Sequence, residues 1–166
     1  MRVLGVDPGL TRTGWASVAA EGSGYRLLAA SVIAPRGGEN LPARLREAYD
    51  EFTGILDREQ PVLVVVEDVF ATPKFPAAAL KMAHLRGVLC LAAAQREIEV
   101  LAMTATTVKQ RLTGNGHASK DQVQHMVFRL CDVGARKLPM DLSDAIGLAI
   151  AGLHQMRSAT LGMLAR

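Results

Sequence analysis

The sequence predicts an α/β fold: a five-stranded mixed sheet, made of a three-stranded meander plus parallel strands, with helices on both faces. Three observations lead there. Short β-branched and aromatic runs separated by turn residues fill the first 33 positions. Farther on, strand-like runs alternate with long helical stretches. Leu63-Val64-Val65-Val66 is apolar without alternation, as in a strand covered on both faces.

Taken in order, Arg2 to Val6 reads as a buried strand ending at Asp7, and Pro8-Gly9 supply turn chemistry. Thr13 to Ala19 returns, Glu21-Gly22-Ser23-Gly24 turns again, and Tyr25 to Ile33 gives a third strand. Leu41, Leu45, Ala48, Phe52 and Ile55 recur at spacings of four and three, marking an amphipathic helix with Asn40 as cap and Pro42 in its first turn. It ends near Gln60-Pro61. The strand Val62 to Val66 follows and terminates in Glu67-Asp68. After a loop over residues 71–76, Ala77 to Gln95 reads as a long Ala- and Leu-rich helix interrupted only by Gly87. Val100 to Met103 is a fifth strand. Thr104 and Thr107 cap a short helix through Leu112, Gly114-Asn115-Gly116 turns, Ser119 caps a helix to about Leu130, and Asp141 opens a final helix. The expected order is βββαβαβααα.

A chain of 166 residues with 49% hydrophobic and 21% charged residues has the composition of one folded domain, expected to span 1–166. Its apolar runs fall well short of the roughly 20 residues that cross a bilayer. Met1-Arg2 leads at once into a strand carrying Asp7, unlike a secretory signal, so a cytoplasmic protein without membrane association is expected. Cys90 and Cys131 sit in apolar surroundings without metal-ligand spacing, which favours packed thiols over zinc. The net charge is +3 and is unevenly placed: residues 1–103 carry 11 Lys and Arg against 12 Asp and Glu, whereas residues 104–166 carry 8 against 4. Such a bias suits either a solvated helix face or a phosphate-binding surface.

Four carboxylates stand where burial makes them costly. Asp7 and Glu67 each close an apolar strand. Asp144 leads Ala145 to Leu153, a stretch apolar nearly all round and hence a core helix. Asp141 lies three residues earlier, one turn away on the same face, where two negative charges repel. Each has a structural alternative: Asp7 as a turn former, Glu67 as a loop cap, and Asp141 and Asp144 as acids favoured by a helix N-terminus. Together, two at strand ends and two on one helix, they suit a hard divalent cation, Mg²⁺ or Mn²⁺. Two such ions about 4 Å apart would serve phosphodiester hydrolysis.

These residues resemble the RuvC family of bacterial junction resolvases, within the RNase H-like superfamily, over nearly the whole chain. The resemblance rests on Asp7-Pro8-Gly9 with Thr13-Gly14, Val66-Glu67 with Phe70, Leu80-Lys81 and Arg86-Gly87. It continues through Val108-Lys109, then Gly114, Gly116, Ala118, Lys120, Gln122 and Val123, and finally Asp141, Asp144-Ala145 and Leu148-Ala149 as far as His154. It implies an endodeoxyribonuclease cutting four-way junctions in recombination and repair by paired nicks. Asp7, Glu67, Asp141 and Asp144 would be catalytic and hold two Mg²⁺ or Mn²⁺ ions. Lys81, Arg86, Lys109 and Lys120 would contact DNA, and Phe70 would stack on bases at the crossover unless it is a core aromatic. It also implies a homodimer through the helix from Ala77, with small Ala83 and Gly87 allowing close approach, and a RuvA and RuvB branch-migration complex as partner. The segment Lys74-Phe75-Pro76 departs from the family: it lacks the usual asparagine and is about one residue longer, which leaves open whether Phe70 or Phe75 meets the bases.

Three alternatives remain in view. A YqgF-like relative would share Asp7-Pro8-Gly9 but lack the motif from Lys109 to Val123. An actin-like kinase would need a second domain, and a non-catalytic junction-binding module would have lost one of the acidic residues.

Overall fold

Arg2–Asp7 forms β1 at the centre of the sheet, with apolar side chains buried on both of its faces. The computed structural model describes residues 1–9, 11–36, 40–68, 76–132 and 140–164, and of these the side chains of 76–78, 132, 140, 141 and 159–164 are not described. β1 pairs antiparallel with β2 (Thr13–Glu21), which pairs antiparallel with β3 (Gly24–Ile33), giving the expected meander. On its other side β1 runs parallel to β4 (Leu63–Glu67), itself parallel to β5 (Glu99–Met103). A two-residue strand, β6 (Cys131–Asp132), adds a sixth member parallel to β3, so the order is β5-β4-β1-β2-β3-β6. Two residues directly after a helix carry no alternation, so β6 has no sequence signature.

The helices are α1 (Leu41–Glu59), α2 (Pro76–Ala94), α3 (Ala105–Thr113), α4 (Lys120–Leu130) and α5 (Met140–Leu164). Their starts follow from capping chemistry. The Ala43 amide donates to Asn40 Oδ1 at 3.0 Å, the Thr107 amide to Thr104 Oγ1 at 3.1 Å, and Ser119 and Gln122 form a reciprocal capping box. Strand periodicity then divides the core in two. Val3, Leu63 and Val65 face a cluster with α3, α4 and α5, whereas Leu4, Val6, Val64 and Val66 face a cluster with α1 and α2. Helices thus cover both faces of the sheet. Among the described residues no helix is long and apolar enough to cross a membrane.

The all-round apolar stretch expected to be a core helix is α5, which lies across β1 and β2. Ile146, Ile150 and Leu153 on it are fully buried, each worth about 2 kcal/mol by area. The approach is tightest at Gly5, where a Cβ would stand 2.0 Å from the Ala145 carbonyl oxygen and 2.6 Å from the Ala149 nitrogen. Only glycine fits between the strand and the helix backbone. Gly5→Ala is therefore expected to lift α5 off β1, costing about 3 kcal/mol and lowering the melting temperature by roughly 10 °C. Thermal unfolding followed by circular dichroism checks this, and a wild-type melting curve would mean the helix does not sit so close.

Candidate active site

Register brings the first two carboxylates together. Val6 pairs with Val66 across the parallel β1–β4 ladder, so Asp7 and Glu67, one residue on, are neighbours at the carboxyl edge of the sheet. The chain beyond Asp7 is held by Thr13, whose buried hydroxyl donates to the Gly9 carbonyl at 3.0 Å and accepts from the Gly9 amide at 3.3 Å. Beyond Glu67, the Asp68 amide donates to the Met103 carbonyl at 2.8 Å, locking the end of β4 to β5. Neither carboxylate sits on a freely moving loop.

The third comes from α5. Ala145 rests on Gly5, two residues before Asp7, and this contact sets Asp144 at the same edge. Asp7, Glu67 and Asp144 line one cleft of about 230 Å³ together with Lys109, Lys120, Ala105, Val108, Val123 and Leu148. Burial pushes the Asp7 carboxyl up to about 8, aided by the charge of Glu67, by a hydrogen bond with it, and by the charge of Asp144, with Lys120 acting in the opposite sense. Asp7 thus holds its proton near neutral pH in the metal-free protein. Two carboxylates held this close, with a third in their field, form an all-oxygen donor set that a hard divalent cation satisfies. Among the described residues no group of three or more His, Cys, Asp or Glu side chains is arranged so as to hold a metal ion. Asp141 begins α5 one turn before Asp144, and its side chain lies outside the described residues.

The two lysines arrive from separate helices. Lys109 stands on α3, which starts directly after β5 and so rises from the same sheet edge. Lys120 is the first residue of α4, and its Nζ lies 3.7 Å from Asp144 Oδ2 with the side chain 70% exposed. A cation at a helix N-terminus opposes the macrodipole, so its placement there favours an anion in front of it. Between them the turn is held by Gln110, whose amide nitrogen donates to the Gly114 carbonyl at 2.8 Å and whose oxygen accepts from the Gly116 amide at 2.9 Å. Gly114 takes φ +76°, the left-handed region that glycine occupies at little cost.

The remaining sequence-predicted contacts fall elsewhere. Lys81 is exposed on α2 and is not part of the cleft lining. Arg86 is half-buried on α2 and pairs with Asp68 at 3.4 Å rather than facing the cleft. Phe70 and Phe75 lie outside the described residues. Of the two cysteines, Cys131 is buried as expected and Cys90 is half-buried. Sequence reasoning missed the apolar walls Ala105, Val108, Val123 and Leu148, and the positioning roles of Thr13 and Gln110. Helical spacing marks Val108 and Val123 only as core residues, and nothing local tells which core residue borders a cleft.

The raised Asp7 carboxyl has a consequence for stability. Its folded pKa exceeds the unfolded 3.8, so in the metal-free protein its favourable contribution is complete below about pH 3.8 and is lost as pH rises to about 8. Asp7→Asn, which cannot ionise, is expected to be more stable than wild type at pH 8 by about 1–3 kcal/mol, with the gap narrowing at pH 5. Melting curves in a chelator at both pH values test this, and a variant less stable at pH 8 would contradict the raised Asp7 carboxyl.

Comparison with known proteins agrees with this geometry. Residues 3–152 match the family "Crossover junction endodeoxyribonuclease RuvC". A protein so described from Granulibacter bethesdensis is 40% identical over 158 residues, covering 95% of this chain and 88% of the relative. The solved structure of Thermus thermophilus RuvC superimposes with TM-score 0.88 at 32% identity, covering 96% of this chain and 98% of that one. The same protein in complex with Holliday junction substrate gives TM-score 0.89 at 31% identity, covering 96% and 97%. With a family match over most of its length, relatives about 40% identical and a shared overall fold, the chain belongs to the RuvC family of crossover junction endodeoxyribonucleases.

Proposed function

We propose that this protein is a structure-selective endonuclease that resolves four-way (Holliday) junctions by nicking two strands of like polarity. One observation carries the reading: the carboxylates of β1, β4 and α5 meet at the floor of a cleft whose rim bears Lys109 and Lys120. Nucleases of this family depend on divalent metal ions. In our reading Asp7, Glu67, Asp141 and Asp144 hold two ions, Mg²⁺ or Mn²⁺. When bound, these supply an activated water and stabilise the leaving oxygen. The protein's own part is to orient and to attract. Asp7 and Glu67 provide rigid strand-end oxygens, and Asp7 must give up its proton to bind a cation. Lys109 and Lys120 draw the phosphodiester over them. Lys81 and Arg86 would meet DNA from outside the cleft, and Phe70 would stack at the crossover.

Two nicks need two sites, and an isologous dimer presents them to a pseudo-two-fold junction. On α2 the exposed residues Leu80, His84, Gly87, Leu91 and Ala94 recur at spacings of four, three, four and three. A Cβ built at Gly87 meets nothing within 4 Å, so that face is open. We assign it to the homodimer contact, by the heptad logic of helix pairs. We further read the protein as cytoplasmic, working with a RuvA and RuvB branch-migration complex. The whole chain, 1–166, is read as one nuclease domain. A YqgF-like nuclease is disfavoured because the Lys109 to Val123 motif is present, and a non-catalytic module because the acidic set is intact.

The test is to incubate the purified protein with a mobile four-way junction and Mg²⁺ or Mn²⁺, mapping nicks on all strands against linear duplex. Symmetrical, metal-dependent nicks are expected. Binding without nicks would identify a non-catalytic module, and indiscriminate duplex cutting a different nuclease. Asp7→Asn should lower cleavage at least about a hundredfold while leaving junction binding intact, and undiminished nicking would refute its assignment. Lys120→Ala should weaken junction binding and reduce the slope of log affinity against log salt by about one. An unchanged slope and rate would make Lys120 an ordinary surface lysine.

A further inference from the structure

A second cavity lies at the opposite end of the sheet from the carboxylates. It has a volume of about 630 Å³ and is bordered by the β2–β3 turn, α3 and the later turns of α5. Tyr25 forms its floor: the ring is 5% exposed, lies 5.4 Å from the His154 ring centroid, and has the Arg157 guanidinium 5.3 Å from its own centroid. Arg157 Nη2 donates to the Gly22 carbonyl at 3.2 Å, and Arg111 Nη1 donates to the Ala151 carbonyl at 3.4 Å.

Both guanidiniums are therefore fixed by neutral carbonyls. Among the described residues neither has a carboxylate within ion-pair distance, and no acidic residue borders the cavity. Burial holds His154 below the ordinary histidine range; a backbone hydrogen bond with Arg111 opposes this, and the charges of Arg157 and Arg111 act with burial. Two pre-oriented guanidiniums bordering one cavity, with no counter-ion among the described residues, suit an external oxyanion. Ser23 and Gln155 add neutral polar groups at the rim.

The same rigid elements serve both sites. α3 carries Lys109 into the catalytic cleft and Arg111 into this cavity, and α5 carries Asp144 at one end and His154 and Arg157 farther along. At 1.5 Å per residue, Arg157 stands about 20 Å along α5 from Asp144. One DNA strand advances about 3.4 Å per phosphate along the duplex axis, so this separation spans five or six base pairs.

We propose that Arg111 and Arg157 form a second phosphate-binding site that holds the backbone of a junction arm five or six base pairs from the cleavage point. The inference rests on the resolvase reading. It gives the protein a sequence-independent second hold on the substrate, which selects for duplex arms of a certain direction rather than for bases.

The test measures junction affinity by fluorescence anisotropy over a salt series. It compares wild type with Arg111→Gln, Arg157→Gln and the charge-keeping Arg111→Lys and Arg157→Lys. Each junction is made twice, once with natural phosphodiesters and once with neutral methylphosphonates four to seven base pairs from the crossover. On the natural junction each Gln variant should bind about three- to tenfold more weakly, with a salt slope reduced by about one, and the Lys variants should keep most of the affinity. On the methylphosphonate junction wild type should fall to the level of the Gln variants. Gln variants that bind the natural junction like wild type would overturn the proposal, as would a loss that persists in full on the neutral arm. A wild-type protein that binds no junction at all would instead overturn the functional reading, and this site with it.

Discussion

Everything at the catalytic edge depends on how closely α5 approaches β1. A strand residue without a side chain, Gly5, lets the Ala145 carbonyl and the Ala149 amide come within what would be a Cβ's own space. Gly152 repeats the arrangement farther along the helix, where a Cβ would stand 2.5 Å from Val65 Cγ2 and 3.2 Å from Val3 Cγ1. With two such points of close approach, α5 has little freedom to slide or rotate. Packing so tight turns a helix residue far away in sequence, Asp144, into a partner of Asp7 and Glu67. The position of Asp144 is thereby determined by core volume, against the repulsion of the neighbouring carboxylates.

That repulsion is the second constraint. A carboxyl with pKa about 8 beside two others opposes folding at neutral pH, and it persists because the strands and α5 around it are held by their own burial. Functional sites are where a fold breaks local rules and compensates elsewhere. Compensation here is visible in Lys120, which faces Asp144, and in the apolar walls Val108, Val123 and Leu148 that hold the cleft in shape. The lysines in turn depend on polar detail: Thr104 starts α3, Gln110 clamps the turn from both sides, and the Ser119–Gln122 box starts α4. A cation at the first position of α4 is electrostatically disfavoured by the helix itself, so its free energy improves when a phosphate arrives.

Cationic groups on the same two helices divide into two sets with different surroundings. Lys109 and Lys120 share a cleft with carboxylates, whereas Arg111 and Arg157 border a cavity with Tyr25 and His154 and donate to the Ala151 and Gly22 carbonyls. Four of the eight Lys and Arg in residues 104–166 thus border two separate concavities. Arg86 belongs to neither, since its ion pair with Asp68 ties α2 to the end of β4.

The local grammar was legible without coordinates. Strand ends at Asp7 and Glu67, the caps Asn40, Thr104 and Ser119, and the core character of the helix after Asp144 all follow from turn chemistry, capping and periodicity, which act over a few residues. The strand order and the pairing of faces could be expected in class only, and β6 could not be expected at all, because two residues carry no period. Arg86 shows the limit: its sequence neighbours match a DNA-contact motif, and only the structure shows that the half-buried side chain pairs with Asp68. Likewise nothing near Arg111 or Arg157 in sequence links one to the other. The sequence by itself determined the elements, the chemistry available and the family. Only the tertiary structure decided which charges meet, because which faces touch is settled by packing between residues more than a hundred positions apart, such as Gly5 and Ala145.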